Sequence, residues 1–357
     1  MKKKFYWLAV QPTPYNFILY KELKKSSKFD FTFCYSIKQE KNLPFDYDQM
    51  VFKDDYVFRK ILGIDFNILF KAFFPGTLFM VVGWNDKTKV LLMCIRKLLG
   101  LKYYFWTDSI NEEKTKTGNR IAFRFKKWLL AGAKIVFTTG SFGVEKMLGS
   151  GLVIDKAKVR ALPFFVSIPE NINVKVFNPD KETLQLLQLS RLMRGKGLFI
   201  TMDAIRMLLD EGYNIQYAIG GVGQEQEALQ KYIESQRLQD NVRLLGWLDE
   251  NAKIDNVNKA HCLIHCVDEH DPFPLVVLES LALGLPVIGT LKAGSVADRV
   301  INGYNGIVVE DNPISIASGI KPLFNALSVE SLSNGARQTS ENWPVSKGLE
   351  IIEEVIN

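Results

Sequence analysis

Histidine, cysteine and long apolar runs are scarce in this chain, and each scarcity excludes something. There are 3 histidines and 4 cysteines in 357 residues. Cys34, Cys94, Cys262 and Cys266 lie in apolar stretches without the spacing of a disulfide framework, so a reducing, cytoplasmic setting is expected. The histidines crowd into His261, His265 and His270 beside Cys262 and Cys266, which invites zinc. That stretch reads as a strand, however, where His261 and His265 share one face and the two cysteines the other. A split ligand set favours no metal. Apolar runs are short as well: Phe5 to Val10 stops at Gln11-Pro12, too soon for a leader peptide after Lys2-Lys3-Lys4. The zone from Ile61 to Trp84 is broken by Asp65, Lys71, Pro75 and Gly76, a poor membrane span. Neither a G-x-G-x-x-G fingerprint nor a P-loop occurs. The net charge of +6 is too weak to indicate a nucleic-acid partner, though it suits an anionic substrate or membrane surface.

What is present is apolar mass in alternation. With 47% hydrophobic residues over 357 positions, the chain exceeds one ordinary core, so two domains are expected. The first half offers strands at Phe5–Val10, Phe29–Tyr35, Leu78–Trp84, Leu101–Trp106, Lys134–Thr139 and Val159–Pro163, with residues 38–60 as a long loop. Continuous apolar runs of this kind suit parallel strands covered on both faces. In a doubly wound sheet the ligand crevice lies at the carboxyl ends of strands. Gln11, Thr13, Tyr15 and Asn16 are therefore pocket candidates, with a rigid proline turn as the plain alternative. Asp108 follows the strand that ends at Trp106, where either an acceptor-binding group or an ordinary helix cap would stand. Arg120 to Leu130 is a basic, aromatic helix. It either lies on an anionic membrane with Phe123 and Trp128 as anchors, or turns its apolar face into the core, and the second reading is preferred.

Residues 167–180 lack periodicity and read as a linker. Strands and helices then alternate again: a strand at Leu184–Leu189, the loop Arg191 to Gly197, a helix to Glu211, a strand at Ile215–Ile219 and the loop Gly220-Gly221-Val222-Gly223. Arg191 and Lys196 on the first loop suit a pyrophosphate, one as a planar fork and the other as a point charge. The stretch Cys262 to Gly289 is strand, acidic loop, helix and strand. Asp271 lies in its loop and Glu279 in its helix, which should begin near Pro274 and end at Gly284. Free N–H groups at that helix start would seat a phosphate. A phosphate seat flanked by two carboxylates fits a nucleotide-activated sugar.

R-x4-K, the glycine loop, Asp240 to Gly246, the 271–289 unit, Ala293 to Asp298 and Gly303 to Val308 occur in one order. In that order they resemble the group 1 (family 4) retaining glycosyltransferases, from about Leu187 to Val309. The resemblance implies a GT-B fold, α/β, with two facing Rossmann-like doubly wound domains and a C-terminal helix crossing back to the first. The expected limits are 1–166 for an acceptor domain, 167–180 for the linker, 181–340 for a nucleotide-sugar domain and 341–357 for the returning segment. By the same resemblance Arg191 and Lys196 hold the donor pyrophosphate, and Glu279 binds the ribose hydroxyls. Asp271 stands near the transferred sugar, where Glu is usual. Gly246 and Trp247 lie along the base, and Phe273, Pro274 and Leu275 form the donor side of the helix start. No histidine lies in the first half to match the one near the sugar in many relatives, so Asp108 is the candidate there. The implied activity is metal-independent transfer from a UDP- or GDP-sugar to a glycan or lipid-linked acceptor in bacterial surface polysaccharide or lipopolysaccharide synthesis. It would occur in the cytoplasm or peripherally at the inner membrane face. The alternatives are a non-catalytic GT-B-like partner subunit and a sugar-nucleotide epimerase.

Overall fold

The computed structural model describes residues 2–38, 47–169, 174–179, 181–324 and 328–356. The chain forms two compact units, Met1–Phe165 with Val345–Asn357, and Val166–Pro344.

Unit 1 is built on a seven-stranded sheet: β1 (Lys3–Ala9), β2 (Phe29–Tyr35), β3 (Tyr56–Val57), β4 (Leu78–Val82), β5 (Tyr104–Thr107), β6 (Ile135–Thr138) and β7 (Val159–Ala161). The order is β3-β2-β1-β4-β5-β6-β7, and every pairing is parallel. Aromatic side chains fill the core beside β1. Phe5 stacks on Phe31 at 4.8 Å and Trp7 meets Trp106 edge-on at 5.6 Å. The helices are α1 (Pro14–Leu23), α2 (Phe66–Lys71), α3 (Lys87–Leu98), α4 (Glu112–Thr117), α5 (Arg120–Gly132) and α6 (Gly140–Gly149). Asp65 and Asp86 cap α2 and α3 by accepting from Ile68 N and Thr88 N, each at 2.9 Å.

Unit 2 is built on a six-stranded sheet: β8 (Leu184–Leu189), β9 (Ile215–Gly220), β10 (Val242–Gly246), β11 (Cys262–His265), β12 (Val287–Thr290) and β13 (Gly306–Val309). Its order is β10-β9-β8-β11-β12-β13, again parallel throughout. The helices are α7 (Leu198–Asp210), α8 (Gln226–Ser235), α9 (Glu250–Lys259), α10 (Leu275–Ala282), α11 (Gly294–Arg299), α12 (Pro313–Ile320) and α13 (Val329–Glu341). The last helix, α14 (Ser346–Val355), belongs to unit 1 and packs on α1. Gly348 makes this possible, since a Cβ there would come within 2.4 Å of Leu19. Ser26 Oγ also donates to Glu353 Oε1 at 2.5 Å.

Two segments differ from expectation. In the loop expected over 38–60, residues 39–46 lie outside the described residues, but the remainder includes β3 at the sheet edge. A two-residue strand leaves no period to detect. In the expected linker 167–180, residues 170–173 and 180 lie outside the described residues. Lys175 is not spanning free, because its N donates to Ser333 Oγ at 2.8 Å and its Nζ to Asn258 O at 3.2 Å. Phe177 packs against the unit 2 core.

Each sheet changes direction of strand order once, between β1 and β4 in unit 1 and between β8 and β11 in unit 2. Loops on either side of such a switch part at the carboxyl ends of the strands and leave a crevice. The candidate site residues cluster at these two places.

Candidate functional site

In unit 2 the loops leaving β8 and β11 bring Lys196 and Asp271 together, 2.5 Å apart between Nζ and Oδ2. Glycine shapes the first loop. Gly195 and Gly197 have φ of +84° and +66°, and a Cβ on Gly197 would stand 1.7 Å from Cys266 O. Gly197 N donates to Asp268 Oδ1 at 3.1 Å, and buried Gln188 donates to Lys196 O at 2.8 Å. The second loop is held through Asp271 itself, whose N donates to Lys292 O at 3.1 Å and whose O accepts from Gly294 N at 2.9 Å.

A third member joins them. His265, the last residue of β11 and 1% exposed, places Nε2 at 3.3 Å from Asp271 Oδ2. Burial alone would raise the Asp271 carboxyl. Hydrogen bonds from His265 and Lys196, together with their charges, outweigh it and hold the pKa down at about 2. Asp271 is thus a fixed carboxylate, and the imidazole Nδ1 is buried without a hydrogen-bond partner among the described residues. In the sequence, His265 stands out only as a candidate zinc ligand. Its signal was available, a histidine ending a strand six residues before the acid.

Arg191 differs from Lys196. Its guanidinium is exposed and forms no ion pair with any described residue. The glycine loop beyond β9 supports its backbone: a Cβ on Gly221 would lie 1.9 Å from Ser190 O, and one on Gly223 2.2 Å from Leu192 O. Close backbone packing therefore accounts for these glycines. Gly221 N also donates to Gly246 O at 2.7 Å, which brings the end of β10 alongside. Trp247 follows there, 59% exposed, an open aromatic face.

Glu279 stands one turn inside α10 with its side chain 35% exposed. Its Oε2 lies 3.2 Å from Lys253 Nζ, which also reaches Glu250 at 2.9 Å. Burial lowers the Lys253 pKa, but Glu279 and Glu250 overcome it and raise the pKa above the ordinary lysine value. Nothing in the sequence singled out Lys253, since α9 has a weak apolar pattern. Pro274 is the cap residue rather than a first-turn residue, and α10 starts at Leu275. Pro274 O accepts from Ser295 Oγ at 2.8 Å, and among the described residues no side chain caps the N–H groups of the helix start. Phe273 is buried beneath it, and Leu275 is half-buried.

In unit 1 the switch point holds a cavity of about 430 Å³. Gln11, Thr13, Tyr15, Asn16 and Asp108 all line it, with Asn85, Trp84, Trp106 and Phe164 among the walls. Among the described residues Asn16 Oδ1 and Trp106 Nε1 are buried without hydrogen-bond partners, an acceptor and a donor for a polar guest. Asp108 keeps solvent contact, yet the surrounding protein displaces enough water to raise its carboxyl pKa. Burial likewise raises the Tyr15 phenol. The zinc arrangement weighed above has other contacts: His261 Nδ1 accepts from Gln185 N at 3.0 Å, and Cys262 and Cys266 are buried thiols.

Residues 169–339 match the family model for glycosyl transferases group 1. Among curated proteins, the amylovoran biosynthesis glycosyltransferase AmsK of Erwinia amylovora is 25% identical over 171 residues, 46% of this chain and 41% of that protein. The chain spans about two fifths or less of the length of the first curated relatives it matches. Solved structures match over nearly the whole chain. HepE of Anabaena, in complex with UDP and glucose, has a TM-score of 0.72 at 15% identity, covering 100% of this chain and 99% of that one. The lipopolysaccharide outer core galactosyltransferase WaaB has a TM-score of 0.70 at 16% identity, covering 99% of each. At such identities the likeness concerns the fold, while the family model bears on the second unit with its ordered motifs. Residues 169–339, just under half of the chain, thus match the group 1 glycosyltransferases, and the chain as a whole has the GT-B fold.

Proposed function

We propose that the protein is a retaining glycosyltransferase that moves a sugar from a nucleoside-diphosphate sugar, UDP-linked by preference, to a glycan or lipid-linked glycan in surface polysaccharide synthesis. The observation that carries this reading is the switch-point cluster of unit 2. It holds the Lys196–Asp271–His265 group, with His265 buried and the other two half-buried, together with Arg191, which has no ion pair with any described residue, and Glu279 eight residues beyond Asp271. Neighbours support the donor class, since HepE is described with UDP and with UDP-glucose. AmsK and WaaB are named for amylovoran and lipopolysaccharide synthesis, which supports the pathway class.

In this reading Arg191 and Lys196 bind the diphosphate. As the glycosidic bond breaks, negative charge grows on the leaving phosphate, and two cations with the open start of α10 stabilise it. Lys196 releases Asp271 to do so, and the freed carboxylate then faces the sugar hydroxyls, held in place by His265. Glu279 takes the ribose hydroxyls, with Gly246 and Trp247 beside the base. Two protein cations neutralise the diphosphate, so no metal is assigned. Retention follows from attack on the face the phosphate leaves, with a donor phosphate oxygen accepting the acceptor proton, so no side-chain base is assigned. Gln11, Thr13, Tyr15, Asn16 and Asp108 receive the acceptor hydroxyls.

The test is a thermal-shift series with UDP, GDP, ADP and their sugar conjugates, with magnesium and with chelator, on wild type and Glu279→Ala. A shift with one nucleotide that survives chelator and weakens in the variant supports the reading. No shift with any nucleotide overturns the donor site. NMR of the product's anomeric proton then tests retention.

A further inference from the structure

We propose that Gln188, backed by Tyr217, is a positioning residue for the donor diphosphate: its amide grips both ends of the loop 190–196 and so fixes where Arg191 and Lys196 stand. The inference rests on the donor reading above and adds to it two buried residues that touch no ligand.

A leucine would suit position 188. β8 runs through the middle of its sheet, and Leu184 and Leu186 on the same strand face are part of the core, 0% and 1% exposed. Gln188 follows them on that face and is 0% exposed. Tyr217 lies on the neighbouring strand β9, opposite Leu186, and is 1% exposed. Burying an amide and a phenol costs free energy that two apolar side chains would not. Their polar atoms are engaged with one another and with the loop. Burial raises the Tyr217 phenol well above its ordinary range, so it stays protonated, and its hydroxyl donates to Gln188 Oε1. Gln188 Nε2 in turn donates to Lys196 O at 2.8 Å and to Ser190 Oγ at 3.3 Å. A carbonyl oxygen only accepts, so Lys196 O fixes which way the amide faces. A connected buried network of this kind specifies geometry.

The bonds reach the cations through one peptide group. The peptide between Lys196 and Gly197 is planar, so its C=O and N–H point opposite ways. The C=O points into the core at Gln188, and the N–H points to Asp268 Oδ1 in the acidic loop, 3.1 Å away. Thr201 Oγ1 holds the next carbonyl, Gly197 O, at 2.8 Å. From this gripped peptide the Lys196 side chain leaves toward Asp271, where its Nζ stands 2.5 Å from Oδ2. Ser190, at the other end of the loop, directly precedes Arg191. One amide thus ties together the backbone beside both cations, in a loop whose glycines at 195 and 197 supply freedom rather than restraint. An apolar residue at 188 would fill the core and leave the two ends independent. A nucleoside diphosphate needs both cations at one separation, whereas a nucleoside needs neither.

The experiment is calorimetry of UDP, with ligand-observed NMR of uridine, on the full chain and on Gln188→Met, Tyr217→Phe and the two combined. Gln188→Met should weaken UDP by roughly ten- to a hundredfold, as loss of an outer partner does at other binding groups, and leave uridine unchanged. Tyr217→Phe should act in the same direction by less, and it carries the comparison alone if Gln188→Met does not fold. Thermal melts separate positioning from stability. Each single variant strands a buried polar partner and should melt lower, while the combined variant removes both and should recover. UDP affinity should stay low in the combined variant. In a Lys196→Met background, Gln188→Met should cost UDP little more, because the cation it aims is already gone. No UDP binding by wild type overturns the donor reading, and this inference with it. UDP bound by wild type and equally by the variants overturns this inference alone. So do equal losses of UDP and uridine, or UDP affinity that returns with the melting temperature in the combined variant.

Discussion

Asp271→Asn separates the two roles assigned to this carboxylate. In the free protein it balances the Lys196 ammonium at 2.5 Å and accepts from His265 at 3.3 Å. Its pKa is held at about 2 against an ordinary 3.8. At about 1.4 kcal/mol per unit this corresponds to about 2 kcal/mol favouring the folded, ionised state. The amide keeps the shape but not the charge, and should lower stability by about that much at neutral pH, or about 6 °C in the unit 2 transition. The folded value lies below the unfolded one, so the contribution is complete above about pH 5 and is lost as pH falls toward 2. Denaturant titrations of wild type and variant should therefore differ at pH 7, by about half as much at pH 3, and converge only below about pH 2. Binding should move the other way. Asp271 competes with a diphosphate for the Lys196 ammonium, so the variant should bind UDP at least as tightly by calorimetry while turnover falls. A pH-independent stability gap, or UDP binding lost together with turnover, would refute the pairing as described.

Arg191→Ala should leave the melting temperature unchanged, because the guanidinium has no ion-pair partner among the described residues. UDP affinity should fall by roughly ten- to a hundredfold, as for a lost charged hydrogen bond, measured by calorimetry. Glu279→Ala should weaken UDP by about tenfold but leave a 2′,3′-dideoxy analogue nearly unaffected, and equal losses for both would remove Glu279 from the ribose. Gly197→Ala should cost more than about 3 kcal/mol in denaturant unfolding, because its Cβ would meet Cys266 O at 1.7 Å at a positive φ. Asp108→Asn should reduce turnover while UDP affinity holds, since the residue lines the unit 1 cavity. Its raised pKa predicts that the wild-type rate changes above the ordinary carboxylate range, and a pH–rate profile unchanged by the substitution would exclude it.

Much of the sheet was legible because a strand buried on both faces must be apolar along its whole length. Phe29–Tyr35 and Leu184–Leu189 match β2 and β8 residue for residue. Short elements were not: β3, α2 and α4 are each too brief to show a period, and α9 is too polar. The spacings from Arg191 to Lys196 and from Asp271 to Glu279 are properties of single loops and of one helix start, so the sequence alone could single out those residues. Which side chains meet is a different matter. Lys196 and Asp271 lie 75 residues apart, and they touch because β8 and β11 are neighbours across the switch in strand order. Neighbouring strands are chosen by packing across the whole sheet, which no local pattern encodes. The same holds for α5. A helical repeat of aromatics reads alike whether it faces core or solvent, and only the position of α3 turns Phe123 in and leaves Phe125 and Trp128 outside. Local chain chemistry determined the elements and the candidate groups; tertiary packing decided their partners.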